Sequence, residues 1–282
     1  MTVRIERGYG ALRTQFDCFL WPPLDLGMRV IAGGGAPPFT LVALEPQRGR
    51  QLVAAELVTA LKALPQVVIT DRHVSWLGKG VLGCAEARAK LEQLVGIARI
   101  VNRRRGVVSL PRELAPLHAH WTRLATGRGL TVSLTPLSLS GRARGIDTLA
   151  FVERDSLGGH TLVVVGKFRR PLGIGYHALS RVVHAEVPWG MTELTTGDAG
   201  FDRVFRVTAA DAEWVKLALN PAARARLLEL AREIHDILVD DYGVRLSVTL
   251  QPDAPVAELL ERAGAAAELV DFVSPRTREV YR

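Results

Sequence analysis

The sequence has 282 residues, of which 48% are hydrophobic and 23% charged, so it can bury a core without disulfides or metals. No apolar run reaches the roughly 18 residues that a membrane helix needs, and the N-terminus MTVRIERGYG lacks the apolar centre of a signal peptide. We therefore expect a cytoplasmic protein in which Cys18 and Cys84 are free thiols.

The positive charge lies in the first part of the chain. Residues 1–106 hold 15 Lys and Arg against 8 Asp and Glu, a net +7. Residues 107–129 hold 3 against 1, and residues 130–282 hold 18 against 20. A basic first half favours an acidic partner such as nucleic acid. The scarcity of Lys, with only five in the chain, fits a GC-rich genome and says little about function.

The first third of the chain predicts strands, a glycine-rich loop and two helices around a hairpin. The loop Ala32 to Pro38 has three glycines but no Gly-Lys-Ser/Thr sequence, so we expect a flexible loop and no phosphate site. The predicted elements are strands at 12–20 and 24–31, a helix at 48–64 stopped by Pro65, a hairpin at 67–77 and a helix at 86–103.

A connecting helix and a β-rich region follow. Leu117 and Trp121 recur at helical spacing in a helix predicted from about Ser109 to Gly127. From 130 to 183, four short β-forming runs separated by turns predict a small antiparallel β subdomain. The remaining predicted elements are a strand at 201–207, helices at 209–217 and from Pro221, a hairpin turn at 240–243 and a last helix at 255–272.

Residues 57–76 resemble residues 227–246 in their apolar pattern. Aligned without a gap, the two segments match apolar with apolar residues at most inward positions and place Asp71 on Asp241. Each predicts a helix, a short strand, a turn carrying Asp and a second strand. Weaker likenesses join 23–30 to 171–178 and 44–46 to 219–221. The pattern favours an internal duplication over coincidence between two ordinary amphipathic segments.

The segment Thr196 to Val207 has the sequence TGDAGFDRVFRV. It resembles a bacterial family of unknown function whose members carry a TGD-x-x-FD-x-x-F-x-V segment, and the likeness covers roughly residues 141–273. Many members of that family carry membrane-spanning segments, which this sequence lacks. The family has no known catalytic residues, so the resemblance implies no activity.

Two aspartates of this segment are candidate functional residues. Asp198 and Asp202 lie four apart, which would bring two carboxylates together on a helix for metal or acid/base chemistry. The alternative, which we favour, is that both aspartates stabilise the local fold and take no part in chemistry. Asp198 then accepts backbone N–H groups in a turn, and Asp202 lies in a strand and pairs with Arg203 or a neighbouring strand.

The second candidate is the basic end of the helix at 86–103. Arg103, Arg104 and Arg105, joined by Arg99 one turn earlier, complement the negative end of the helix dipole. Alternatively they form a phosphate-binding patch. The sequence has few aromatic residues and no recognisable helix-turn-helix or zinc finger, which disfavours nucleic acid.

Catalytic and metal-binding patterns are weak. His118 and His120 lie two apart on a predicted helix and therefore point in different directions, with no Cys or carboxylate cluster beside them. No Ser or Cys has the G-x-S-x-G surroundings of a hydrolase nucleophile. We therefore assign no catalytic residue, metal or cofactor, and we expect a protein without enzymatic activity.

Together these features predict an α+β protein of two related halves, each with helix, β-hairpin and helix, plus a small antiparallel β subdomain in the second half. The predicted domains are a basic one at 1–106, a connecting helix at 107–129 and a second α+β domain at 130–282. We expect a non-catalytic interaction or assembly protein with a protein partner or self-association. The alternatives are a nucleic-acid-binding protein that uses the basic half and an enzyme of unidentified chemistry.

Overall fold

The computed structural model describes residues 2–8, 11–33, 38–154, 159–183, 187, 190–210, 212–251 and 253–271. Most of the predicted loop at 32–38 lies outside these residues. The described part is α+β, with helices and antiparallel sheets. It divides into a first unit, residues 1–115 with 133–137, and a second unit, residues 116–132 with 138–282.

Strands β1 to β6 form a six-stranded sheet in the order β1-β2-β6-β5-β3-β4. Three helices of the first unit accompany this sheet. The strands are β1 (Thr2–Gly8), β2 (Ala11–Phe19), β3 (Met28–Ala32), β4 (Phe39–Ala43), β5 (Val67–Thr70) and β6 (His73–Lys79), and the helices are α1 (Pro46–Leu52), α2 (Ala55–Ala63) and α3 (Cys84–Arg104).

One face of this sheet carries the core of the first unit. Leu57, Leu61 and Leu64 are fully buried against inward strand residues such as Val30 and Ile69. Trp76 packs on Phe16 with ring centroids 5.6 Å apart. The helices lie on this face because their apolar residues face it, which leaves the strand residues that point the other way outside the core.

The remaining strands form a nine-stranded sheet in the order β12-β13-β11-β14-β15-β10-β9-β8-β7. Helix α4 (Ala115–Ala125) precedes it, after 3-10 turns at Arg105–Val107 and Arg112–Leu114. The strands are β7 (Thr131–Leu134), β8 (Leu137–Ala143), β9 (Ile146–Arg154), β10 (His160–Lys167), β11 (Tyr176–Ser180), β12 (Thr192–Leu194), β13 (Phe205–Ala209), β14 (Asp236–Val239) and β15 (Gly243–Thr249), and the helices are α5 (Ala199–Val204), α6 (Ala212–Ala218), α7 (Pro221–Leu230) and α8 (Val256–Asp271).

Helix α8 packs on the middle of this sheet. A Cβ on Gly166 of β10 would lie 2.4 Å from the carbonyl oxygen of Ala263, so only glycine permits the helix to approach this closely. The α8 side of the sheet is therefore buried. The opposite side of β9 and β10 carries a second buried cluster, formed by Leu149, Phe151, Val163 and Val165.

The two sheets share strand order and register over six strands. The order β1-β2-β6-β5-β3-β4 corresponds to β9-β10-β15-β14-β11-β13. Val30 pairs with Ile69 in the first sheet, and Ala178 pairs with Val239 at the equivalent position in the second. The segments 57–76 and 227–246 both form a helix followed by a hairpin.

The 44–46 likeness does not fit this correspondence. Leu44 precedes α1, whereas Leu219 precedes α7, whose counterpart is α2. The match between these triplets was wrong because Pro begins both helices, and a proline at the first helical position is common.

Four other predictions need correction. The helix at 48–64 is two helices, because Val53 and Ala54 leave the helical conformation, with ψ of 89° and 169°. The connecting helix begins at Ala115 instead of Ser109, after the turn that follows Pro111. The predicted β subdomain at 130–183 is part of the nine-stranded sheet, because β10 pairs with β15 and β11 pairs with β13 and β14. The predicted strand at 201–207 is α5 followed by β13.

Candidate functional site

The predicted arginine run lies at the end of α3, where it ties the helix to other parts of the first unit. Arg103 forms an exposed ion pair with Glu56 of α2. Arg104 Nη2 donates to the carbonyl of Gln51 in α1 at 2.7 Å. Arg105 Nη1 donates to the carbonyl of Pro22 at 3.0 Å. Three consecutive arginines therefore hold three different segments, while Arg99 is exposed on the preceding turn.

We call the end of α3 with Arg103, Arg104 and Arg105 the arginine corner. Some guanidinium N–H groups at this corner have no acceptor among the described residues. They are Nε of Arg104 and Nε and Nη2 of Arg105, all shielded from solvent. Burial lowers the pKa of Arg105. Unpaired, desolvated donors of this kind would readily donate to an anion or a water molecule. This is the feature of the run that supports a phosphate contact.

Arg48 belongs to the hydrogen-bond network around the arginine corner, although the sequence did not single it out. Its side chain is buried; Nε donates to the carbonyl of Ser109 at 2.7 Å, and Nη1 lies 2.9 Å from Oε1 of Glu45. Gln51 completes the network, since its Oε1 accepts from the N–H of Ser109 at 2.6 Å. No pattern in the sequence separates Arg48 from an ordinary exposed helix arginine.

The carboxylates of the TGD segment serve the local fold. Asp198 caps α5 by accepting from the N–H groups of Gly200 and Phe201, both at 3.1 Å, and lies 3.4 Å from Nε of Arg224. The expected turn role of Asp198 therefore matches the structure.

Asp202 lies in α5 and not in a strand, so the predicted pairing with Arg203 or a neighbouring strand is wrong. Its carboxylate accepts from the N–H of Thr196 at 3.0 Å and from the hydroxyl of the same residue at 2.8 Å. The two carboxylates are engaged with different partners, so the segment forms no shared acid/base pair.

Two further carboxylates, Asp71 and Asp241, lie in the turns of the matched hairpins. Asp71 accepts from the backbone N–H groups of three consecutive residues, of which Gly27 is closest at 2.6 Å. Burial raises the pKa of Asp71, and these backbone N–H groups act in the opposite direction. Asp241 accepts from the N–H groups of Ile174 and Gly175.

Within the described ranges, no three His, Cys, Asp or Glu side chains are grouped closely enough to hold a metal ion. His118 lies on α4 with its Nε2 3.4 Å from the hydroxyl of Thr122. Cys18 is buried and Cys84 exposed, and both are free thiols. Over the same residues, no helix has the length and apolarity to cross a membrane.

The first sheet carries large apolar side chains on the face away from its helices. Phe19, Ile31, Val42 and Leu77 point to this side and are 39 to 62% exposed, and we call this surface the outer sheet face. Leu44, just after β4, is exposed as well. The alternation of each strand was visible in the sequence, but which face lacks a helix was not.

No protein-family model matches the chain, and no curated protein matches it. Among solved structures, the chain is similar to the crystal structure of the mycobacterial trehalose monomycolate transport factor A, TtfA, with a TM-score of 0.39 and 9% sequence identity. The likeness covers 58% of this chain and 95% of that chain. The family resemblance of Thr196 to Val207 stays a prediction from sequence.

Proposed function

We propose that this chain is a non-catalytic interaction or assembly protein, and that a partner protein docks on the outer sheet face of the first unit. The observation that carries the proposal is the exposure of Phe19, Ile31, Val42 and Leu77 on one side of the sheet. Covering apolar surface releases about 25 cal/mol per Å², so a complementary partner would be stabilised there.

Arg29 on this face and the charge of the first unit suit an acidic rim on the partner. Arg29 is exposed, two residues from Ile31 on β3 and directly opposite Val42 on β4. Residues 1–106 carry a net +7, which would attract an acidic protein and speed its association. Apolar contacts would then supply affinity, and charge would supply orientation.

Nucleic-acid binding is the second candidate, and the unpaired N–H groups of Arg104 and Arg105 favour it. Three features weigh against it. Arg103 already pairs with Glu56, and Arg104 and Arg105 each donate to a backbone carbonyl of the first unit. A phosphate backbone requires several accessible cations along a surface, and a corner whose donors are turned inward offers few.

We also propose that the two units descend from one duplicated ancestral unit. Its support is the shared strand order and register, together with the equivalent positions of Asp71 and Asp241.

The proposed function can be tested with a photo-crosslinking amino acid placed at Phe19 in the full-length chain, expressed in the organism of origin. The matched control places the same group at Arg88, whose side chain is 82% exposed on α3. We expect one discrete protein adduct at position 19 that resists nuclease and is absent at position 88. The adducted protein is then purified and titrated against the wild-type chain and against the double variant Phe19→Ser, Leu77→Ser.

The double variant should bind at least about 10-fold more weakly, since two apolar contacts are lost from the interface. Equal affinity of the variant and the wild type, or adducts of the same pattern at both positions, would overturn the outer sheet face as the docking surface. An adduct that nuclease removes would favour nucleic acid instead.

A further inference from the structure

The two units differ in how the equivalent edges of their sheets end. In the second unit, β13 is covered by the short strand β12, with Thr192 opposite Ala209 and Leu194 opposite Val207. The counterpart of β13 in the first unit is β4, and β4 is the last strand of its sheet. Among the residues that the structure describes, the same position is therefore covered by a further strand in the second unit and by none in the first.

Matching hydrogen bonds fix the direction of the backbone groups on these strands. Leu44 N–H donates to the carbonyl of Gly27 at 3.2 Å, and Ala210 N–H donates to the carbonyl of Gly175 at 3.0 Å, at the equivalent place. Hydrogen-bonded pairs alternate along an antiparallel ladder, so Val42, like Leu44, turns its N–H and C=O toward β3.

The intervening residues of β4 turn their backbone groups the other way. Leu41 and Ala43 direct N–H and C=O to the free edge, and their counterparts are Val207 and Ala209, which pair with β12. Strand β4 thus presents the donors and acceptors that hold an additional strand in the second unit.

This edge lacks the features that usually protect a free strand. The sequence Phe39–Ala43, FTLVA, contains no charge and no proline, and its one-to-one register with β3 includes no bulge. Thr40 and Val42 are both exposed on the outer side of the strand. An uncharged, apolar and regular edge is suited to pairing with another strand.

We propose that β4 pairs antiparallel with β4 of a second copy of this chain, which joins the two six-stranded sheets into one of twelve strands. Leu41 lies opposite the partner subunit's Leu41 at the two-fold axis, so each outward N–H and C=O meets its complement. Thr40 then lies beside the partner subunit's Val42, a pair of β-branched residues that is favourable across strands.

The charge of the first unit does not oppose this pairing at the strand itself. Strand β4 is uncharged, and the nearest charges that follow it, Glu45 and Arg48, lie 2.9 Å apart and neutralise each other. Arg29 lies one strand further in, so the two copies of this residue are separated by three strand spacings of about 4.8 Å each, beyond the Debye length at about 0.15 M salt.

The inference rests on the proposed function in taking the first unit as an interaction module, but the two can fail separately. Self-pairing is measured on the purified chain alone, whereas the partner test uses position 19 on β2. Sedimentation equilibrium of the full-length chain from about 1 to 200 µM should show a reversible monomer–dimer equilibrium. Hydrogen exchange should slow at the amides of Leu41 and Ala43 as the concentration rises.

Two variants test whether the free edge of β4 forms the dimer interface. Ala43→Pro removes one outward N–H and leaves the ladder to β3 intact, so it should raise the dimer dissociation constant at least about 10-fold. Thr40→Lys with Val42→Lys places like charges opposite one another across the two-fold axis and should have the same effect with an unchanged circular dichroism spectrum. Leu77→Lys, on the same face but away from β4, is the matched control and should dimerise as the wild type does.

A monomeric mass throughout the concentration range would overturn the inference, and so would a dimer whose dissociation constant is unchanged in the double Lys variant. Monomeric behaviour in the presence of a partner adduct at position 19 would leave the proposed function standing and show that β4 does not pair with itself.

Discussion

Asp71 and Asp241 hold two equivalent loops through the same hydrogen bond. Gly27 N–H donates to Oδ2 of Asp71 at 2.6 Å, and Gly175 N–H donates to Oδ2 of Asp241 at 2.9 Å. Each aspartate also accepts a backbone bond through its own carbonyl, from Leu24 in the first unit and Leu172 in the second. One residue per unit therefore fixes the segment that leads into β3 in the first sheet and β11 in the second, both of which have a neighbouring strand on each side.

Removing either carboxylate should destabilise the protein. Asp71→Ala or Asp241→Ala leaves backbone N–H groups of a partly buried loop unpaired, and we expect a loss of about 1 to 3 kcal/mol in the free energy of unfolding, measured with denaturant. The control is Asp147→Ala, which removes only an exposed ion pair with Arg142 and should change stability by less than about 0.5 kcal/mol. A loss at Asp71 no larger than at Asp147 would contradict the assigned role.

This relationship was visible in the sequence to a useful degree. The gap-free alignment placed Asp71 on Asp241 and apolar residues on apolar residues because a helix and hairpin that pack on one sheet face impose the same spacing each time. Strand order was not visible, because residues paired between β10 and β15 lie 76 to 88 positions apart in the chain and such pairing leaves no local pattern.

The exposed sheet face and helix α5 were harder to predict for two physical reasons. Phe19 and Val42 alternate like core residues, and their exposure depends on the absence of a helix on one side of the sheet. Helix α5 has six residues, too few to show a helical period, so Phe201 resembled a strand residue. It lies in the helix and stacks on Phe205, the first residue of β13, with ring centroids 4.6 Å apart. The arginine run was visible in the sequence. The carbonyl groups that accept its hydrogen bonds lie far away in the chain, at Gln51 and Pro22, so the sequence did not indicate them.

Leucine truncation should separate the core from the outer sheet face. Leu61→Ala and Leu227→Ala each remove a fully buried side chain and should lower the free energy of unfolding by about 2 to 5 kcal/mol. Leu44→Ala is the matched control, because Leu44 is exposed, and should cost less than about 0.5 kcal/mol. Denaturant melts in which all three variants lose equal stability would show that the buried assignments are wrong.

Because of Tyr176, the free energy of unfolding should decrease at alkaline pH. Burial raises the pKa of Tyr176 well above its ordinary value of 10.0, and Asp240 and Asp241 act in the same direction. Above pH 10 the unfolded chain loses this proton while the folded chain keeps it. The unfolded state then binds fewer protons, so the free energy of unfolding decreases as pH rises.

Tyr176→Phe should remove this alkaline decline. The hydroxyl is buried with no hydrogen-bond partner among the described residues, so its loss should cost less than about 0.5 kcal/mol at neutral pH. Tyr242→Phe is the control at an exposed position and should follow the wild-type curve. Denaturant melts from pH 7 to about pH 11 give the comparison, and a wild-type decline retained in Tyr176→Phe would refute the assignment.

Replacing the arginine run tests whether the chain binds a nucleic acid or a protein partner. If the corner binds phosphates, counterion release makes affinity fall steeply with salt, and replacing Arg103, Arg104 and Arg105 by Ala should weaken binding and flatten the salt slope. Because two of these side chains donate to the carbonyls of Gln51 and Pro22, we expect the triple variant mainly to loosen the end of α3.

We accordingly expect the wild-type chain to bind duplex or single-stranded DNA and RNA only weakly, above about 1 µM at about 0.15 M salt, with a slope that the triple variant leaves unchanged. Fluorescence anisotropy over a salt series measures both quantities, and Lys62→Ala with Arg88→Ala, at exposed positions of α2 and α3, provides a control that also removes positive charge. Sub-micromolar binding that the triple variant abolishes and the control retains would favour nucleic acid over a protein partner, because weak binding alone is expected of any basic protein.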